Sequence, residues 1–180
     1  MKDTIFIAGI YGTGKSTLCD NLSNKIQLPF FSAGDLISEV NGEVYGANKA
    51  VIDKENNQII LTKRVQELLQ LHDCILLAGH FCIFNFKNEV EVLPDSTFCN
   101  LNIEQIVLLE ADVSKVIDHL KVRDGKIYSC ENIARLMTAE RNQATKIAQE
   151  LGCRLSIYKM TFSDKDADNV ITYITQGDFA

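Results

Sequence analysis

The run Gly9-Ile10-Tyr11-Gly12-Thr13-Gly14-Lys15-Ser16-Thr17 fits the spacing GxxxxGK[ST], and each residue type in it suits a phosphate chain. Glycines let the backbone turn tightly and approach phosphate oxygens with no side chain between. The successive amides of Gly12, Thr13 and Gly14, with the start of a following helix, supply partial positive charge. Lys15 is placed to bridge the outer phosphates, the Ser16 hydroxyl to ligate Mg²⁺, and Thr17 to close the loop. ATP and Mg²⁺ are the cofactors this pattern implies.

Other side chains join that chemistry with more than one role open to them. Asp35 follows a predicted strand, at the carboxyl edge where α/β ligands bind. It can hold a Mg²⁺-bound water, take a proton from a hydroxyl acceptor, or simply complement a helix dipole. His80 follows a central strand beside the phosphate-loop strand, and either contacts a phosphate of donor or acceptor or is structural. Arg123 and Arg141 are candidates to neutralise charge spreading over a transferred phosphoryl group. Arg141 lies at the edge of a helical apolar stripe, where snorkelling is the alternative. Arg64 sits on a helix and is a candidate acceptor clamp, or an exposed surface residue. Arg135 reads as a solvated surface residue.

Elements must position these groups. Thr4–Ala8 is a short apolar run ending in glycine, as a buried parallel strand does. A helix is expected from Gly14 to about Ile26, a strand over Leu28–Ser32, and a helix from Gly34 to about Val40. Gln58–Leu71 has helical periodicity, and Asp73–Ala78 reads as a central strand stopped by Gly79. Phe81–Leu93 is a hairpin or an irregular loop over a pocket. A strand over Gln105–Glu110 and a helix from Val113 to about Lys121 follow, then a polar loop over Arg123–Ser129. Cys130 to about Leu151 is a long amphipathic helix, Arg154–Tyr158 a last strand and Lys165–Thr175 a closing helix. Alternating strands and helices predict a three-layer α/β sandwich around a parallel sheet of about five strands.

The bulk composition is compatible with that single domain: 180 residues, 46% hydrophobic, 23% charged, two prolines and no internal repeat. A net charge of −6 argues against nonspecific nucleic-acid binding, while a local nest of amides still holds phosphate on an acidic protein. None of the six cysteines forms a CxxC pair, and the three histidines have no ligand spacing to them, so no zinc site is expected. No leader segment is expected ahead of the first strand, and no apolar run reaches membrane-spanning length. A cytoplasmic protein with small-molecule substrates, no nucleic acid and no membrane partner is the expectation; oligomeric state is not legible. A guanine-specifying NKxD element is missing, since Asn24-Lys25 and Asn48-Lys49 run on into Ile-Gln and Ala-Val. Chain length argues against a large AAA-type module with a helical lid.

The chain resembles the nucleoside monophosphate kinases, most of all the archaeal-type adenylate kinases. The resemblance is carried by the phosphate loop, by Phe31-Ser32-Ala33-Gly34-Asp35-Leu36-Ile37, by Ile75–His80, and by Arg123 followed by a helix containing Glu140-Arg141-Asn142. Two positions depart from it: Ala78 stands where a carboxylate near Mg²⁺ is expected, and Ile37 where bacterial enzymes place an acceptor-clamping arginine. The resemblance implies a P-loop kinase fold, with an acceptor-binding segment over residues 34–70 and a short lid over 123–130, both mobile. It implies transfer of the ATP γ-phosphoryl group to a nucleoside monophosphate, AMP first. A small-metabolite hydroxyl kinase using Asp35 as base, and a nucleotide-binding regulatory protein with little turnover, are the alternatives.

Overall fold

In the computed structural model, residues 3–41, 54–125 and 127–175 are described. The architecture is the expected α/β sandwich: a five-stranded parallel sheet in the order β2-β3-β1-β6-β7. The central strand, β1 (Asp3–Ala8), is buried from Thr4 onward because helices cover both of its faces. From β1 the chain crosses through α1 (Lys15–Ile26) to the far edge strand β2 (Phe30–Ser32). Then α2 (Ala33–Asn41) and α3 (Lys54–Leu71) lead back to β3 (Cys74–Gly79).

A short antiparallel hairpin follows, β4 (Cys82–Phe84) with β5 (Val90–Val92), which settles the open reading of Phe81–Leu93. The one-turn helix α4 (Ser96–Cys99) comes next, then β6 (Ile103–Glu110), α5 (Val113–Asp124), α6 (Cys130–Leu151), β7 (Arg154–Lys159) and α7 (Asp166–Thr175). Parallel crossovers are right-handed, so the leftward β1–β2 and rightward β6–β7 connections put α1 and α6 on opposite faces. α7 packs beside α1, and α6 lies over β6, β7 and the hairpin.

Several boundaries moved. β2 begins at Phe30 because Pro29 has no N–H to offer the ladder; its carbonyl still accepts from Leu76 N at 2.8 Å. Arg123 is in the last turn of α5 and not in a loop, since helical pairing continues until Gly125, whose N–H reaches Lys121 O at 3.0 Å. Of the acceptor-binding segment expected over 34–70, residues 42–53 lie outside the described residues, as does residue 126 of the expected lid.

Register places the chemistry. Ala8 pairs with Gly79 on one side and Leu108 on the other, so Gly9 leaves the sheet between His80 and Leu109. The phosphate loop therefore starts at the carboxyl edge beside the β3 terminus, in the crevice where open α/β sheets bind ligands. Below it, Phe6, Phe81 and Phe98 pack with ring centroids 4.6–5.8 Å apart, and Phe6 and Phe98 form the floor.

Candidate active site

One cavity of about 550 Å³ opens above that floor. Its donor side is lined by Tyr11, Gly12, Gly14, Lys15, Ser16 and Thr17, with His119 and Arg123 of α5. Its far side is lined by Ser32, Gly34 and Ile37, by Asn57, Gln58 and Leu61 of α3, and by Ile83, Leu93, Thr97, Phe98 and Leu101. Ala78, Gly79 and His80 lie along the seam. The phosphate loop and a second, mostly apolar lobe thus share one space.

The loop is held from within. Lys15 Nζ donates to Gly9 O at 2.6 Å and to Ile10 O at 2.8 Å, so the ammonium sits over the loop. His80 Nδ1 lies 2.7 Å from the same Gly9 oxygen and 3.5 Å from Lys15 Nζ, an arrangement that puts the ring proton on Nδ1. The Tyr11 ring rests against the imidazole at 4.6 Å. The Thr13 hydroxyl is buried and donates to Ile10 O at 2.9 Å, fixing the loop's curve and leaving its amides to a ligand. Ser16 is exposed in the first turn of α1 and lines the cavity.

A buried carboxylate lies behind the loop. Glu140 of α6 is 1% exposed and accepts from Gly9 N at 3.1 Å, Phe81 N at 3.0 Å and Cys82 N at 2.7 Å. Burial pushes its carboxyl up to about 7, against the opposing pull of those amides and of Lys15. Inferring roles from residue types and motifs missed this residue. The signal was present: Glu140 lies four residues after Leu136 and four before Ala144, in the middle of an apolar stripe. His119 was also missed, having no motif around it; its Nδ1 is 3.1 Å from Gly12 O and its ring meets Phe162 edge-on at 4.4 Å.

The expected charge-bearing residues divide. Arg123 lines the cavity, paired with Asp124 at 2.5 Å and stacked over Tyr11 at 6.0 Å. Arg141 does not reach the cavity. One residue on a helix is a turn of about 100°, and because Glu140 takes the inward direction, Arg141 faces out and is bound by Glu110 of β6. Arg64 also turns away from the cavity, toward Glu67 at 2.8 Å and Glu39 of α2 at 3.4 Å. Asp35 is exposed at the start of α2, outside the lining, while its neighbours Gly34 and Ile37 are in it. Arg135 is on the surface, as expected, in an ion pair with Glu131.

The sheet order, the loop and the shared cavity are those of a P-loop kinase, a class of phosphotransferase. The chain belongs to the family described as AAA domain, whose model matches residues 8–136. A cytidylate kinase of Methanosphaera stadtmanae is 26% identical over 179 residues, covering 93% of this chain and 94% of the relative. Another, from Methanothermobacter thermautotrophicus, is 23% identical over 125 residues, 67% of this chain and 77% of the relative. The shikimate kinase structure from Bacteroides thetaiotaomicron superposes with a TM-score of 0.62 at 14% identity, covering 99% of both chains, a likeness of fold. Among the described residues no helix is long and apolar enough to cross a membrane.

Proposed function

We propose that this chain transfers the γ-phosphoryl group of ATP to a nucleoside monophosphate. The observation that carries the reading is the continuity of the cavity: the loop that suits the donor phosphates opens directly onto a lobe between α2–α3 and the hairpin. AMP enters through the resemblance to archaeal-type adenylate kinases, and CMP through the two relatives named cytidylate kinase.

In this reading Lys15 leaves the loop carbonyls for the outer phosphates, and Arg123 steadies the transferred group from the α5 side. His80 stands at the seam, within reach of donor and acceptor phosphates. Ser16 suits Mg²⁺: an exposed hydroxyl-bearing side chain lining the cavity beside the phosphate loop, with water and substrate phosphates to complete the sphere, since the ion keeps several waters and needs no protein cage. When bound, Mg²⁺ supplies charge neutralisation at the phosphate oxygens. A monophosphate acceptor brings an oxygen that is already anionic, so positioning and charge neutralisation suffice and no base is required. Among the described residues, Gly34, Ile37, Asn57, Gln58 and Leu61 serve the acceptor from the segment 34–70, and Arg123 covers the donor side from the start of the segment 123–130. Arg141, Arg64 and Asp35 receive no part in the transfer.

One observation favours a hydroxyl acceptor instead. Among the described residues, the cavity's lysine and arginine, Lys15 and Arg123, are both on the donor side, and the acceptor lobe offers only neutral polar groups. The test is ADP formation from ATP–Mg²⁺ against a panel of nucleoside monophosphates and neutral hydroxyl compounds, with Lys15→Ala as control. Turnover with one monophosphate, lost in the variant, supports the first reading. Turnover with hydroxyl compounds alone supports the second. ATP binding without any acceptor-stimulated turnover rejects both.

A further inference from the structure

Gly9 is gripped on both sides of its peptide links. Its carbonyl receives Lys15 Nζ at 2.6 Å and His80 Nδ1 at 2.7 Å, while its N–H donates to Glu140 Oε1 at 3.1 Å. The same carboxylate takes the amides of Phe81 and Cys82, at 3.0 and 2.7 Å, in the turn that carries His80 and Ile83 into the cavity. A carboxyl group is thus buried directly behind a loop built to bind anions. Satisfying three amides does not by itself demand a charge there, because neutral carbonyls do so throughout a sheet. A carboxylate does something a carbonyl does not: its two oxygens collect amides from two separate chain segments at one point.

We propose that Glu140 is a positioning residue. Its ionised carboxylate locks the start of the donor loop and the turn after β3 into one rigid unit, so that donor phosphates and acceptor wall keep a single relative placement during transfer.

The proposal rests on the phosphotransferase reading but makes a demand that does not need turnover. A protonated carboxyl points an O–H where amide N–H groups already point, so it cannot keep the full set of bonds. The lock is therefore held by the ionised form and released by acid. Among the described residues, the titratable and charged groups beside Glu140 include Lys15, whose charge acts on it, Cys82, whose amide it accepts, and His80, the chain neighbour of Phe81; Arg141, next on α6, is occupied by Glu110. The Cys82 thiol is pushed up to about 12 by burial and by Glu140 itself, so it stays neutral. His80 is then the competing source of an acid limb.

The experiment uses the full chain with Glu140→Gln and Glu140→Asp. Amide hydrogen exchange is read at Gly9, Phe81 and Cys82, ATP binding by calorimetry, and acceptor-dependent kcat across the neutral pH range. In Glu140→Gln, protection is expected to fall at all three amides together. ATP affinity should stay within about five-fold while kcat drops about 100-fold, as misplacement of roughly an ångström does, and the acid limb of kcat should vanish. Glu140→Asp, which keeps the charge, should recover part of kcat and restore the limb. Unchanged protection in either segment overturns the lock. So does wild-type kcat in Glu140→Gln, or an acid limb that survives in it and disappears only on replacing His80. If Glu140→Gln does not fold, the wild type carries the test through pH: protection at Gly9, Phe81 and Cys82 should fall together as the carboxylate is protonated, and protection factors that do not change with pH overturn the lock. Should no acceptor be turned over by the wild type, the kinase reading fails while the exchange result still decides the lock.

Discussion

Replacing Gly9 by alanine tests whether the β1 terminus is shaped by its neighbours or by the loop alone. Gly9 has φ +149°, where an L side chain is strained by about 1–3 kcal/mol. A Cβ there would stand 2.7 Å from Leu109 O and 3.0 Å from Thr13 Oγ1. Neither atom is free to retreat. Leu109 belongs to β6 and is paired with Tyr158 of β7, and the Thr13 hydroxyl is engaged by Ile10 O. Overpacking of this kind adds about 1–3 kcal/mol, so a total near 4 kcal/mol is expected.

Gly152, the cap of α6, is the control. It too has positive φ, +64°, but nothing lies within 4 Å of its Cβ position, so Gly152→Ala costs about 1–2 kcal/mol. Urea unfolding of the two variants should therefore differ by about 2–3 kcal/mol, and thermal midpoints by roughly 5–10 °C for a chain of this size. ATP binding should weaken in Gly9→Ala and not in Gly152→Ala. If Gly9→Ala is no less stable than Gly152→Ala, the contact with the β6 backbone is not what shapes this corner.

Two further outcomes are expected. Asp166 is 3% exposed; burial raises its carboxyl, but bonds from Thr161, Tyr158 and the Phe162 amide outweigh that and hold it below the usual 3.8. With the folded value depressed, its contribution is complete above pH 3.8 and lost as pH falls through the folded value. Asp166→Asn should lose about 1–3 kcal/mol at neutral pH and converge on the wild type in acid; parallel stability curves would refute this. Thr97 is 5% exposed in the acceptor lobe, and its hydroxyl has no partner among the described residues. Thr97→Val should therefore leave stability unchanged or raise it by up to about 1 kcal/mol, read by urea unfolding. A clear loss of stability would show that the hydroxyl has a partner in the folded protein.

What the sequence determined by itself was local and periodic. Gly9–Thr17 specifies a phosphate cradle within nine consecutive residues, because glycine conformations, a lysine and a helix N-terminus suffice to make one. The alternation of apolar strands with 3.6-period helices was enough for a parallel sheet with both faces covered. Tertiary structure decided which polar side chains face the site. Periodicity tells which stripe of α6 is buried, but a carboxylate in that stripe looks like an interruption until Gly9, Phe81 and Cys82 bring their amides to it. Its neighbour Arg141 is turned outward by the same helix geometry and bound by Glu110 of β6, and Arg64, already paired with Glu67 one turn on, gains Glu39 of α2. Each of these outcomes depends on a partner that only the fold brings within a few ångströms, and a buried charge is stable only where such partners exist.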